Sequence, residues 1–252
     1  MKFDFPIFSA DIKGDYISVV TGNDKSRTKL HVFEFSNLEK DYEPIYSKNF
    51  NNYISSVSLS STGKYVLVST VSSYDGKYNC ILSVYDTESS IEDAITTYVT
   101  DNELPVKLHM NSNTLESFVV TDSSLIFLDK KFSANKTIKF NQSKIENYYI
   151  ENNYIALTER NNLSGNSMKI SLYTFSGDTA KEFIIADEIY DVSIGKNFVY
   201  ALGKNNVYKY SISSEEDIKL KSPVEFKYNS IVCDSDDNCY LLSNNLVSRV
   251  EF

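Results

Sequence analysis

One block recurs six times along this chain: a short apolar strand, a tight polar turn, and a second strand that in most copies opens on an aromatic residue. The copies span Phe8–Val20, Val57–Val68, Leu108–Val120, Tyr148–Leu157, Val192–Leu202 and Ile231–Leu242. Their second strands begin at Tyr16, Tyr65, Leu115, Tyr154, Phe198 and Tyr240, so the spacings are 49, 50, 39, 44 and 42 residues. That period fits a four-stranded unit that cannot bury its faces alone and must stack on its neighbours. A third strand follows each block, at Leu30–Asn37, Ile81–Thr87, Leu125–Asp129, Ile170–Gly177, Val207–Ser211 and Leu246–Val250. Most copies add a weaker fourth, as at Thr137–Phe140 and Glu182–Ile185. The expected fold is all-β: one domain over residues 1–252, a β-propeller of about six four-stranded blades.

Burial on both faces separates a propeller from a sandwich. Tyr65–Val68 and Leu125–Leu128 are apolar at consecutive positions, which suits a sheet packed on each side, whereas a half-wet sheet alternates. The turns carry Gly14, Gly63 and Gly195, or Asn and Asp elsewhere, because hairpin turns often need a positive φ. Ser90–Thr97 starts like a capping box and turns β-branched, so it reads as a decorated fourth strand or one turn of helix. The loops at 70–78 and 159–167 join second to third strands and are expected on one rim. The last copy ends at Phe252 without a fourth strand, and Lys2–Phe5, alternating polar and apolar, is expected to close that blade.

Composition narrows the partners. The chain has 19 Tyr, 15 Phe and no Trp, and a net charge of −9 with no dense Lys/Arg run, which argues against nucleic acid. No apolar stretch reaches the roughly 18–20 residues that span a bilayer.

The chemistry-bearing candidates are few. His31 and His109 stand on different repeats outside any ligand-spaced motif, and read as strand histidines. Gly165-Asn-Ser167-Met-Lys169 lacks the closing glycine of a nucleophile elbow, and Thr62-Gly63-Lys64 lacks the earlier glycine of a phosphate loop. Asp234-Ser-Asp236-Asp237-Asn238 has the acidic density of a calcium loop but breaks the EF-hand pattern at Cys239 and Asn245, so a solvated turn is expected. Cys233 and Cys239 flank that turn on paired strands and are candidates for a structural disulfide, against two reduced thiols; Cys80 is left for the core. Asp11, Glu146 and Asp191 fall on innermost strands and are candidates for lining a central channel. No catalytic, metal or cofactor site is expected, and no cofactor.

The run Val57–Thr70, its continuation to Val84-Tyr85-Asp86, and Tyr154–Leu157 through Leu172–Gly177 resemble a family of uncharacterised bacterial propeller proteins. That resemblance implies an N-terminal membrane anchor, here outside the sequence, and a propeller exposed on the extracellular face of the membrane. The repeated Trp-Asp and Gly-His signatures of WD repeats are missing. The implied role is a non-catalytic scaffold or recognition module that binds a protein or a cell-wall glycan through its rim loops. The alternative is a propeller hydrolase or lyase using carboxylates in its channel.

Overall fold

A computed structural model describes residues 6–22, 28–38, 43–100, 102–111, 115–140, 145–161, 167–213, 219–224 and 228–252. They belong to two compact units, Met1–Phe140 and Asn141–Phe252.

The first unit holds three four-stranded antiparallel sheets, each built from strands consecutive in the chain. The first comprises β1 (Ile7–Lys13), β2 (Tyr16–Gly22), β3 (Thr28–Glu34) and β4 (Tyr46–Phe50), with a one-turn helix α1 (Phe35–Leu38) before β4. The second comprises β5 (Tyr53–Leu59), β6 (Tyr65–Tyr74), β7 (Lys77–Asp86) and β8 (Thr96–Thr100). The third comprises β9 (Pro105–Met110), β10 (Ser117–Thr121), β11 (Ser124–Leu128) and β12 (Ala134–Lys139). In the second unit, β13 (Ile145–Glu151), β14 (Tyr154–Asn161), β15 (Ser167–Thr174) and β16 (Thr179–Ile185) form one sheet. Another contains β17 (Ile189–Ile194), β18 (Phe198–Gly203), β19 (Asn206–Ser211) and β20 (Lys219–Pro223). The last has three described strands, β21 (Ser230–Cys233), β22 (Cys239–Ser243) and β23 (Leu246–Arg249). The strand expected from Lys2–Phe5 lies outside the described residues.

The packing explains the apolar runs. In β6, Val66 and Val68 join Val20, Leu30 and Val32 of the first sheet, while Leu67 between them joins Leu108, Val119 and Ile126 of the third. Alternate residues of one strand thus enter two cores, so every position must be apolar. The second unit repeats the scheme: Ala201 packs toward Ile170, Leu172 and Phe183, and Leu202 toward Ile231 and Leu241. Middle strands such as β10 and β11 are buried throughout, whereas outermost β12 is mostly exposed. Outermost strands need only one packed face, which is why they were the weakest in the sequence.

One local expectation is decided and another changes. Of the two readings of Ser90–Thr97 the fourth strand holds and the helix does not: Asp86 and Ser89 caps hold an irregular turn, and the strand starts at Thr96. Gly14 and Gly63 do take positive φ, as do Asn152, Asn153 and Asp237 in the later copies, but Gly195 does not. Gly195 is needed for a close approach instead, since a Cβ there would lie 2.0 Å from Asp237 Oδ1.

Candidate functional site

The first strand of each sheet carries a bulge near its start, and four of the six carry a second feature at the opposite end. Near its start an extra residue interrupts the pairing with the second strand. Ile7 pairs with Thr21 and Ser9 with Val20, which leaves Phe8 as the bulge. The same break isolates Ser55, Val106, Glu146 and Tyr190 in β5, β9, β13 and β17. In the last sheet Ser230 pairs with Leu242 while the Asn229 N–H also donates to the Leu242 carbonyl, the hydrogen-bond signature of a bulge. A bulged residue is released from the strict alternation of the strand and re-aimed outward.

Four residues after the bulges of β5, β9, β17 and β21, a backbone N–H on the unpaired edge of the first strand is closed by a side chain from the preceding sheet. Leu59 N donates to Asp11 Oδ2 at 2.8 Å and Met110 N to Ser58 Oγ at 3.1 Å. In the second unit Ile194 N donates to Glu151 Oε2 at 2.6 Å and Cys233 N to Ser193 Oγ at 3.0 Å. Leu59, Met110 and Ile194 are fully buried, so an unmet amide there would be costly. Asp191 adds a further staple, accepting from Ile231 N at 2.8 Å and Ser230 Oγ at 2.6 Å.

These contacts place the three acidic candidates. Asp11, in the first unit, and Asp191, in the second, are committed to backbone amides of the following sheet. Glu146 is the bulge residue of β13 and pairs with Arg160 Nε at 2.8 Å on the surface. Each carboxylate is therefore engaged within its own unit, and no group of three or more His, Cys, Asp or Glu among the described residues could hold a metal. The Asp234 carboxylate is consumed by its own turn, accepting from Asp236 N, Asn238 N and Tyr240 Oη, and bonding to Asn238 holds it below the usual carboxylate range. His109 stacks on Phe118 at 4.7 Å; burial first, then Lys13 and Lys107, push it down to about 3, so it is neutral at physiological pH. His31 stacks on Phe33 and bonds to Ser47 Oγ, and burial lowers it also. Cys233 and Cys239 face each other directly across β21 and β22, with free thiols.

In the first unit, the bulge ends of β1, β5 and β9 gather exposed apolar side chains. Phe8 is 47% exposed, Tyr53 47% and Val106 49%, and the Phe8 and Tyr53 rings meet edge to face at 6.1 Å. Beside them the β6–β7 hairpin runs past the end of β5, since Tyr53 pairs with Val71 and three further pairs follow Val71–Cys80, carrying exposed Tyr78. The second unit shows a more polar version, with Tyr190 exposed at the β17 bulge and the Glu146–Arg160 pair at the β13 bulge. A small cavity of about 50 Å³ lies between Arg160, Met168 and Glu188. A larger cleft of about 460 Å³ lies between Pro223, Tyr228, Leu241 and Arg249. The bulges were not read from the sequence. Their signal was the isoleucine that immediately precedes four of them, at Ile7, Ile54, Ile145 and Ile189.

The description "family of unknown function (DUF5711)" matches residues 1–252. The chain belongs to the DUF5711 family. No curated protein sequence matches it. Among solved structures, this DUF5711 member is similar to Kluyveromyces lactis Hsv2, with a TM-score of 0.63 at 12% identity over 98% of this chain and 75% of that one. It is similar to BamB from Moraxella catarrhalis, with a TM-score of 0.55 at 9% identity over 98% of this chain and 78% of that one. It is also similar to the Neurospora crassa Pan2 WD40 domain, with a TM-score of 0.54 at 10% identity over 97% of this chain and 88% of that one. Against the Kluyveromyces lactis structure with a complete loop 6CD, the chain spans 60% of the other's length. The likeness shows the fold, a β-propeller without the WD signatures. Among the described residues no helix is long and apolar enough to cross a membrane.

Proposed function

We propose that this DUF5711 chain is a non-catalytic recognition module that binds a protein through the bulge ends of its first strands and the loops beside them. The observation that carries this reading is the repeated bulge. Phe8, Val106 and Tyr190 stand exposed at this one register position, and Ile7 and Ile12 of β1 add to the exposed apolar surface of the first unit. Exposed aromatic and aliphatic residues on a rigid scaffold are the usual anchors of protein recognition. A hydrolase or lyase reading needs disengaged acids, and Asp11 and Asp191 instead hold backbone amides.

In the finer form of the proposal, each of the six sheets is one blade of a propeller spanning residues 1–252. The module stands on the outer face of a bacterial membrane, held by an anchor outside this sequence, as the sequence resemblance implies. Site-specific photo-crosslinking in native cells tests the binding surface. A photoreactive residue at position 8, 53 or 106 should give one discrete protein adduct, and position 136 on exposed β12 should give none. Equal labelling from all four positions, or adducts to glycan alone, would overturn the protein-binding reading.

A further inference from the structure

The register of the last sheet points to a chemically responsive pair. Cys233 and Cys239 are directly opposed. The Cys239 carbonyl accepts from Val250 N at 2.9 Å, on the side of β23, and Cys233 N donates away from β22 to Ser193 Oγ. The backbone groups of both residues therefore point outward, which defines a non-hydrogen-bonded antiparallel pair. Such pairs bring the Cα atoms to about 4.5 Å. That spacing lies at the lower edge of the roughly 4.4–6.8 Å range spanned by disulfides, so a bridge can form there without unfolding the hairpin.

The thiols differ in access. Cys233 is half-buried, with its Sγ 3.1 Å from Ser193 Oγ, whereas Cys239 is buried among Tyr200, Leu202 and Leu241. The turn they bracket is also a clamp. The Asp237 carboxylate accepts from the backbone and side-chain amides of Asn197, and its carbonyl accepts from Tyr200 Oη at 2.6 Å. The hairpin of one sheet is thus held by the turn of the next.

We propose that Cys233 and Cys239 form a reversible oxidation site, and that their disulfide locks the 234–238 turn onto the 195–198 hairpin. A disulfide reagent supplies the oxidising equivalents. The Cys233 thiolate attacks one reagent sulfur, the reagent S–S bond breaks, and the first reagent thiol leaves. Cys239, as thiolate, then attacks Cys233 Sγ in the mixed disulfide and expels the second reagent thiol. Two protein thiols are oxidised, one reagent disulfide is reduced to two thiols, and the two thiol protons pass to the released thiolates.

The test uses the full chain incubated with oxidised glutathione under native conditions, followed by intact mass and peptide mapping. The expected product has lost two hydrogen atoms, with Cys233 linked to Cys239 and Cys80 still a thiol. Dithiothreitol should restore the starting mass. Hydrogen exchange at the amides of residues 195–198 and 234–238 should slow at least about threefold in the oxidised form, the signature of a less frequent opening. Cys239→Ser should stop the reaction at the mixed disulfide on Cys233. The proposal is overturned if the native chain keeps three thiols while the urea-unfolded chain oxidises. It is equally overturned if Cys80 enters the bridge, or if exchange in the two turns is unchanged after oxidation. The mass measurement on the unsubstituted protein decides the first two outcomes even if the serine variant fails to fold.

Discussion

Replacing Asp191 by alanine separates two accounts of the acidic residues on the first strands. If Asp191 were one of several solvated carboxylates crowding a channel, its removal would relieve repulsion in a chain of net charge −9, and stability would rise or stay level. The geometry predicts the reverse. Asp191 Oδ2 receives Ile231 N at 2.8 Å and Ser230 Oγ at 2.6 Å, and Ile231 is buried. An unmet buried amide costs roughly 1–3 kcal/mol, and a lost bond to a hydroxyl that can turn to water about 1 kcal/mol. The expected loss is about 3 kcal/mol, or a fall in Tm of roughly 6–12 °C for a chain of this size. Asp191→Asn keeps an acceptor oxygen and should lose about half as much. Urea titration at neutral pH with circular dichroism measures all three proteins. A double-mutant cycle with Ser230→Ala should show coupling of about 0.5 kcal/mol or more. An alanine variant as stable as the parent, or asparagine and alanine variants of equal stability, would refute the staple.

Two further outcomes follow from the first unit. Burial alone would raise the Glu103 carboxyl, but hydrogen bonds from Lys139, Ser124 and Thr121 outweigh it and hold Glu103 below its ordinary value of 4.5. A depressed carboxylate contributes stability that is present above the unfolded value and lost as pH falls through the folded one. Acid unfolding should therefore show a shallower pH dependence below 4.5 in Glu103→Gln than in the parent. Gly63→Ala should cost more than Gly76→Ala, as read by thermal melts. Both glycines have positive φ, worth about 1–2 kcal/mol against a residue with a side chain, but a Cβ at Gly63 would lie 2.3 Å from the Tyr16 ring while one at Gly76 meets nothing within 4 Å.

The architecture was legible where chemistry repeats. Val66, Leu67 and Val68 announced burial on both faces, and Asn152, Asn153 and Asp237 announced tight turns, because each depends on the residue itself. The staples were harder to read. Ser58 and Ser193 share a letter, but Asp11 does the same work with an unlike side chain and Glu151 does it from two positions further along the strand, so no one letter marks all four contacts. The bulges escaped for a related reason: a shift in pairing is a property of two strands, and Phe8, Val106 and Glu146 have nothing in common as residues. Asp11, Glu146 and Asp191 were correctly placed on first strands, yet their partners come from later in the chain and could not be inferred from periodicity.

The separation of bulge and staple along four of the first strands has a consequence for how such a chain can diversify. The staple is bound to the fold by a backbone amide, so its replacements are restricted to hydrogen-bond acceptors. The bulge residue belongs to no ladder position, and Phe8, Ser55, Val106, Glu146, Tyr190 and Asn229 already sample aromatic, hydroxyl, aliphatic, acidic and amide chemistry at equivalent points. Each sheet thus offers one position outside the ladder, tied to its surroundings by side-chain contacts alone, as Ser55 is to Ser69 and Glu146 to Arg160. Substitution at these points would change the exposed chemistry while the stapled amides beneath stay paired.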